Sequence, residues 1–259
     1  MMDPESLVSP RAARARELAA QVHAVHREVD GVYGSLKITK ELHHRRVKVN
    51  RKTVARLMQR LGIRSKVSRK FRVATTDSAH TNPVAPNVLD QNFASAAAPN
   101  QVWGADITYL ETDEGFPYLA GVMDLYSRRI VGWSMDDSMT TELVESAFNA
   151  ALLSRKPAFG LLHHSDRGVQ YTSGRYRDLL DRHGIEASMS RTGNCYDNAV
   201  VESFWGKLKC EMVHHEHFAT KAQARAAVFE YIEMFYNRKR LHAALGYLSP
   251  EQFEARRVG

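Results

Sequence analysis

The chain is poor in cysteine, with two, Cys195 and Cys210, in 259 residues. No C-x-x-C pair exists, so a cysteine-built zinc site is excluded, and two thiols without a framework fit a reducing cytosol. Long apolar runs are missing too. The N-terminal "MMDPESLVSPRAARARELAAQ" has no apolar signal core, and no run of about 18 apolar residues occurs, so a secreted or membrane-spanning protein is not expected. Internal repeats are absent. At 44% hydrophobic residues the chain can still bury a real core and form one or two domains. These absences predict an intracellular, cytoplasmic protein.

Charge is plentiful but segregated. Residues 1–72 carry 18 Lys/Arg against 6 Asp/Glu, a local net of +12, while residues 73–259 carry 18 against 23, a net of −5. A basic head on a mildly acidic body points to a polyanion partner for the head. A solvated basic face explains the overall +7 but not its segregation. Residues 11–29 read as an amphipathic helix ending near Asp30-Gly31. Leu36, Ile38 and Leu42 mark a second helix. Asn50 is a good N-cap for "RKTVARLMQRLG", where Val54, Leu57, Met58 and Leu61 are expected to face a core and Gly62 to end the helix. Helix, turn and basic helix form a helix-turn-helix pattern, with Arg51, Lys52, Arg56 and Arg60 free to meet DNA. The pattern alone also suits a small helical hairpin that binds nothing.

Residues 74–100, rich in Ala, Asn and Pro, read as a linker along a surface. The pattern then changes. "VWGADITYLE", "FPYLAGVMDLYS" and "RRIVGWSM" follow at hairpin spacing and predict three antiparallel strands. "TTELVESAFNAALLSR" is a helix with a Thr cap. "GLLHHSD" is a short buried strand, "TSGRYRDLLDRHG" a helix closed by Gly184, and "IEASMS" a further strand. "DNAVVESFWGKLKCE" and residues 220–237 predict two more helices. This order argues for an α/β fold, a mixed sheet flanked by helices on both sides, preceded by a small all-α module.

Three carboxylates stand out. Asp106 lies mid-strand where both faces read apolar, and a buried carboxylate needs a partner, a proton or a metal. Alone it suits a structural aspartate equally well. Asp166 follows an apolar strand, at the end where ligands bind in such sheets, although an Asp before a Gly turn is also ordinary. Glu202 alone reads as a solvated helix glutamate. On the helical wheel it shares one narrow polar strip with Asn198 and Lys209. Converging, three oxygen donors without His or Cys suit Mg²⁺ or Mn²⁺, and two such ions about 4 Å apart can clamp a phosphodiester.

"PNQVWGADITYL", "HHSDRGVQYTS" and "DNAVVESFWGKLKCE" resemble the three signature blocks of the DDE transposases of the retroviral-integrase superfamily. Asp166 and Glu202 are separated by 35 residues, the spacing of the D,D(35)E class. The likeness is to the second-open-reading-frame (OrfB) transposase of a large bacterial insertion-sequence family. "VYGSLKITKELHHRRVKVNRKTVARLMQRLGI" is similar to that family's helix-turn-helix module, and "YNRKRLHAALGYLSPEQFE" to its C-terminal block, so residues 30–254 are covered.

The resemblance implies a ribonuclease-H-like core, with Asp106, Asp166 and Glu202 as catalytic ligands of two Mg²⁺ or Mn²⁺ ions. It suggests that Lys209 touches the transposon end, while Arg51, Lys52, Arg56 and Arg60 remain the cations that the helix-turn-helix pattern offers to DNA. Asn198 is expected to orient Glu202 or cap its helix. Trp103 and Trp205 read as core, and Asp124 and Asp197 as structural. His163 and His164 lack a third zinc ligand at suitable spacing and read as neighbours of the site. Retroviral relatives carry a His-His-Cys-Cys zinc module before the core; here no cysteine precedes residue 195, and a metal-free helical head takes its place.

The expected layout is a helix-turn-helix module over 1–73, a linker over 74–100, the catalytic core over 101–215 and its helical extension over 216–259. The expected activity is 3′-end cleavage and strand transfer of an insertion sequence, in DNA integration and recombination. Expected partners are DNA (transposon ends and target), an upstream OrfA-type protein joined by frameshifting, and further copies of the chain on DNA, at the nucleoid and with no membrane. The chain has its own methionines and no long leucine heptad, so it is expected to supply the catalytic part. A metal-dependent nuclease on the same fold, or a DNA-binding regulator without catalysis, remains open on the residues alone.

Overall fold

The computed structural model describes residues 9–66, 82–192, 194 and 196–256. Cys195, the ends of the expected head module (1–8 and 67–73) and residues 74–81 of the expected linker lie outside the described residues. The chain divides into two compact units, Met1–Ser68 and Arg69–Gly259.

The first unit is a three-helix module. Helix α1 spans Pro10–Glu28, with Pro10 pre-set for the first helical position and the Ser9 hydroxyl accepting from the Ala12 N–H at 3.3 Å. Asp30 and Gly31 then turn the chain with positive φ. Helix α2 is Ser35–His44 and α3 is Arg51–Arg60. The Asn50 side chain caps α3 by accepting from the Thr53 N–H at 2.8 Å, as its sequence predicts. Val22, Val25, Ile38, Leu42, Val54, Leu57 and Met58 form the core. Leu61, expected in that core, is 39% exposed. It is the C-cap residue, and Gly62 follows at φ +66, so the chain leaves the helix axis there.

The second unit is built on one five-stranded sheet in the order β3-β2-β1-β4-β5. Strands β1 (Val102–Tyr109), β2 (Tyr118–Asp124) and β3 (Ile130–Asp136) form the expected antiparallel meander. Helix α4 (Thr141–Arg155) follows. Thr140 takes its N-cap position but makes no side-chain bond to the helix N–H groups. Strand β4 (Leu162–Ser165) pairs parallel to β1; the short α5 (Val169–Thr172) and α6 (Gly174–Arg182) lead to β5 (Glu186–Met189), parallel to β4. Gly184 at φ +63 ends α6 as expected. Helix α7 spans Ala199–Glu211.

Strand alternation sorts β1 onto two faces. Trp103, Ala105 and Ile107 join Phe148 of α4 and Tyr176 and Leu179 of α6 in one core. Val102 shares the other core with Val201, Phe204, Trp205 and Leu208 of α7. Asp106 has the even parity of Val102 and therefore belongs to the α7 face.

The C-terminal segment braces that second face. After a 3-10 turn (Val213–His215), α8 covers Lys221–Phe229 behind a Thr220/Gln223 capping box. The helix expected over 220–237 changes character and continues as a π-helical stretch, Glu230–Tyr236. The next residue, Asn237, grips β3 at both backbone groups of Ile130: its Oδ1 accepts from the N–H at 3.0 Å and its Nδ2 donates to the carbonyl at 2.9 Å. Helix α9 (Pro250–Ala255) follows, with Glu254 bound by Arg155 at 2.9 Å and by Arg129 at 3.2 Å. Residues 82–100 contain no helix or strand, yet Leu89 is buried, and Val88 and Leu89 donate to Ser188 Oγ at 3.0 and 3.2 Å.

Candidate active site

Asp106 pairs across the sheet with Gly121 of β2. A Cβ on Gly121 would lie 2.8 Å from the Trp205 ring, so only glycine leaves room for the indole there. Its neighbour on the same face, Gly104, plays the same part for Val201, also at 2.8 Å. These two glycines let α7 lie close against the meander. The consequence is a hydrogen bond that the sequence does not advertise: Trp205 Nε1 donates to Asp106 Oδ2 at 3.1 Å. The Ile107 N–H donates to Oδ1 at 2.9 Å. Trp205 is core, as expected, and it also fixes the carboxylate. A glycine opposite the buried acid was the available signal for it.

Asp166 ends the β4 segment. Its Oδ1 accepts from the Gly168 N–H at 2.9 Å, which folds the turn back on itself. The adjacent Arg167 points away, donating to the Ser190 carbonyl at 2.6 Å and to Thr192 Oγ1 at 2.8 Å. Glu202 stands in the first turn of α7, exposed, and no described residue hydrogen-bonds its carboxyl. Asn198 does not cap α7 through its side chain; its Nδ2 donates to the Ala105 carbonyl at 3.3 Å and ties the helix start to β1.

The three acids sense one another. Burial pushes the Asp106 carboxyl well above its ordinary range, and the charges of Asp166 and Glu202 push it further. The Ile107 and Trp205 donors oppose that rise. Glu202 is raised by burial and by Asp166. The acids that sense one another here are all oxygen donors, from a strand, a strand end and a helix, and their mutual repulsion is what a divalent cation would relieve. Among the described residues no group of three or more His, Cys, Asp or Glu side chains is gathered closely enough to hold a metal ion as it stands. The donor chemistry fits a hard cation, while the side chains are not closed into a cage.

Lys209 is not a surface lysine. It is buried with its ammonium 4.9 Å from the centre of the Tyr109 ring. Burial lowers its pKa and the charge of Asp106 opposes that shift, which puts a cation beside the acids. The two histidines of β4 face opposite ways. His163 Nε2 meets the Tyr176 hydroxyl at 2.9 Å, and burial drops its pKa to about 3. His164 meets Ser188 and Ser190 at 2.9 and 3.2 Å and drops to about 4. Both stay neutral near pH 7 and serve packing.

Asp124 and Asp197 are structural, each for a visible reason. Asp124 accepts from the backbone N–H groups of Asn100, Tyr126 and Ser127. Asp197 is held by Arg191 at 2.8 and 3.0 Å, by Asn87 at 2.9 Å and by Gln91 at 2.8 Å, and Arg191 keeps its carboxyl well below the usual range. That latch straps the 82–100 segment to the start of α7. In the first unit Arg51, Lys52, Arg56 and Arg60 are all exposed along α3.

Comparison with known proteins finds matches along the chain. An integrase core domain model matches residues 96–195, a second integrase core domain model residues 202–258, and an HTH-like domain model residues 13–71. The chain is 50% identical over 222 residues to the transposase InsF for insertion sequence IS3A of Escherichia coli (strain K12), covering 86% of this chain and 76% of that one. It is 44% identical over 238 residues to the transposase for insertion sequence element IS904 of Lactococcus lactis subsp. lactis (strain IL1403), covering 92% and 93%. Among solved structures, a chain of the simian T-cell lymphotropic virus intasome in complex with PP2A regulatory subunit B56 gamma aligns with a TM-score of 0.52 at 14% identity, covering 90% of this chain and 74% of that one. At that identity the likeness is one of fold, an integrase core of the ribonuclease-H-like kind. Relatives at this identity over nearly the whole chain settle the family: the chain is a member of the InsF/OrfB-type insertion-sequence transposases, with an integrase core behind a helix-turn-helix module.

Proposed function

We propose that Asp106, Asp166 and Glu202 are the catalytic carboxylates of this transposase, a DDE polynucleotidyl transferase, and that they hold two Mg²⁺ or Mn²⁺ ions. What supports this is that three carboxylates from β1, the end of β4 and α7 sense one another: beyond the larger effect of burial, the charges of Asp166 and Glu202 raise Asp106, and that of Asp166 raises Glu202. Bound cations would neutralise that repulsion and stabilise charge on the phosphorus oxygens as the bond to phosphorus changes hands. The protein's own part is placement. Trp205 and the Ile107 N–H keep the Asp106 carboxylate turned to the α7 face. Asn198 fixes the start of the helix that carries Glu202.

The reaction would be two in-line displacements. Water attacks phosphorus at the 3′ end of the element, and the P–O3′ bond breaks, leaving a free 3′-hydroxyl on the element and a 5′-phosphate on the flanking strand. That hydroxyl then attacks a phosphodiester of the target, and its own P–O bond replaces the one broken. Neither step needs ATP or a covalent protein intermediate. Arg51, Lys52, Arg56 and Arg60 bind DNA in this reading, and Lys209 meets the transposon end. An upstream OrfA-type protein joined by frameshifting and further copies of the chain complete the complex, at the nucleoid in the cytoplasm. No helix among the described residues is long and apolar enough to cross a membrane.

The test is cleavage and strand joining on a labelled transposon end, with Mg²⁺, Mn²⁺ or chelator, using the chain fused to its upstream partner. Metal-dependent nicking and joining that vanish in Glu202→Gln support the proposal. Cutting without joining would replace it by a nuclease. Activity unchanged in Glu202→Gln would overturn the assignment of that residue.

A further inference from the structure

Gln170 sits in α5, just past the turn that carries Asp166, and is only 6% exposed. Its Nε2 donates to the Met139 carbonyl, ahead of α4, at 2.8 Å. That bond decides which way the amide faces. Turned over, it would set its own oxygen against the Met139 carbonyl oxygen, two acceptors with no proton between them. Gln170 Oε1 therefore faces away from Met139, and no donor among the described residues meets it.

Gly168 shows what that oxygen faces. A Cβ on Gly168 would lie 2.9 Å from Gln170 Oε1 and 3.1 Å from Asp166 Oδ1. The backbone does not demand glycine at this position, because φ −57 and ψ 145 suit any residue. What glycine supplies is space between the two oxygens. The glutamine cannot simply swing aside for a methyl group, since Met139 holds its other end. Two acceptor oxygens border one narrow space, and what bridges two acceptors is a donor or a cation.

The chemistry of the neighbours favours the cation. Asp166 already belongs to a set of acids that repel one another, and a fourth carboxylate would add to that repulsion. An amide oxygen adds a ligand and no charge. Carboxylate, carbonyl and water oxygens are the donors that suit Mg²⁺ and Mn²⁺, and an amide reaches such an ion directly or through one of the waters it keeps. Among the described residues His, Cys, Asp and Glu alone do not close a metal cage. A neutral oxygen beside Asp166 is the kind of donor they leave out.

We propose that Gln170 supplies a neutral oxygen to the cation held at Asp166, across the space that Gly168 leaves beside both residues. The inference rests on the reading of Asp106, Asp166 and Glu202 as cation ligands. Met139 keeps the amide oxygen turned toward the ion, and Gly168 keeps its path clear.

The test is Mn²⁺ binding to the full chain without DNA, by titration calorimetry, with the rise in melting temperature that Mn²⁺ brings as a second readout. Gln170→Met keeps the length of the side chain and removes the oxygen, so affinity should fall about tenfold and the thermal rise should shrink. Gln170→Glu keeps an oxygen there and adds charge, so affinity should increase, although the metal-free protein loses stability. Both variants lose the bond to Met139. A purely structural glutamine would therefore weaken Mn²⁺ binding equally in both or in neither, and either result overturns the proposal. Gly168→Ala should also weaken binding, because its methyl group fills the space while both oxygens remain. Asp166→Asn is the control for the underlying reading and should lose most of its affinity. Binding kept in Asp166→Asn would overturn the carboxylate assignment and this inference with it. Binding lost there but unchanged in Gln170→Met and Gly168→Ala would overturn this inference alone.

Discussion

On the α4 face of the sheet, a Cβ on Gly132 would lie 2.3 Å from the Ala147 carbonyl oxygen and 2.5 Å from the Ala151 nitrogen. On the α7 face, Gly104 and Gly121 hold the same kind of space for the side chains of Val201 and Trp205. Both faces admit a helix through glycine. The α4 face uses the closeness for packing alone: Trp103, Phe148, His163 and Tyr176 stack within 4.8–5.9 Å of one another in pairs. The α7 face spends it on a carboxylate, because the indole that fills the gap also reaches Asp106. The same device yields a rigid core on one side and an aimed acid on the other.

The sharpest way to break this symmetry is Gly132→Ala. Its Cβ would strike backbone, which cannot rotate away, so α4 must shift bodily. A loss of about 3 kcal/mol is expected, at the upper end of overpacking costs, read by thermal or urea unfolding. A stable Gly132→Ala protein would show that α4 packs less tightly than its contacts with β3 imply.

Trp205→Phe probes the other face. It keeps most of the apolar volume and removes the side-chain donor that Asp106 has among the described residues. Folding should suffer by about 1 kcal/mol, the net worth of a hydrogen bond, while cleavage should fall roughly 10- to 100-fold, as when a partner that orients a metal ligand is lost. The sign of the pH effect follows. The indole N–H lowers the Asp106 pKa, so its loss lets that pKa rise further. Protons then compete with Mn²⁺ over a higher pH range, and the acid limb of metal binding moves upward, measurable by titration calorimetry. In the metal-free protein, the raised Asp106 pKa costs stability as pH rises through the window between its ordinary value and its folded one, and Trp205→Phe should widen that window. An unmoved acid limb would mean that the indole does not hold the acid.

The elements were legible because they rest on local signals: alternation gave the meander, and Asn50 and Gly62 bounded α3. The three acids are ambiguous one by one and stand out only through the family resemblance, with its 35-residue spacing between Asp166 and Glu202. The missed features are long-range. Trp205 reaching Asp106 requires knowing that Gly121 is its cross-strand partner, and strand register is not written in either segment alone. Asn237 gripping Ile130 depends on a π-helical turn that keeps the helical pattern of residues 220–237 intact while changing where the next side chain points. The burial of Lys209 is not visible in its helical strip, because its neighbour Tyr109 lies a hundred residues upstream on β1. His163 and His164 look like neighbours of the site in sequence, but strand alternation sends one to Tyr176 and the other to Ser188.

The gentlest test repeats the first substitution where its sign should reverse. Gly206 lies inside α7 with no atom within 4 Å of an added Cβ. Glycine in a helix interior costs conformational entropy and gives nothing back through packing, so Gly206→Ala should stabilise the protein by about 0.5–1 kcal/mol. For a chain of this size that is a rise of about 1–4 °C in melting temperature. One methyl group thus has opposite effects on two helices of one sheet, set by what each helix faces.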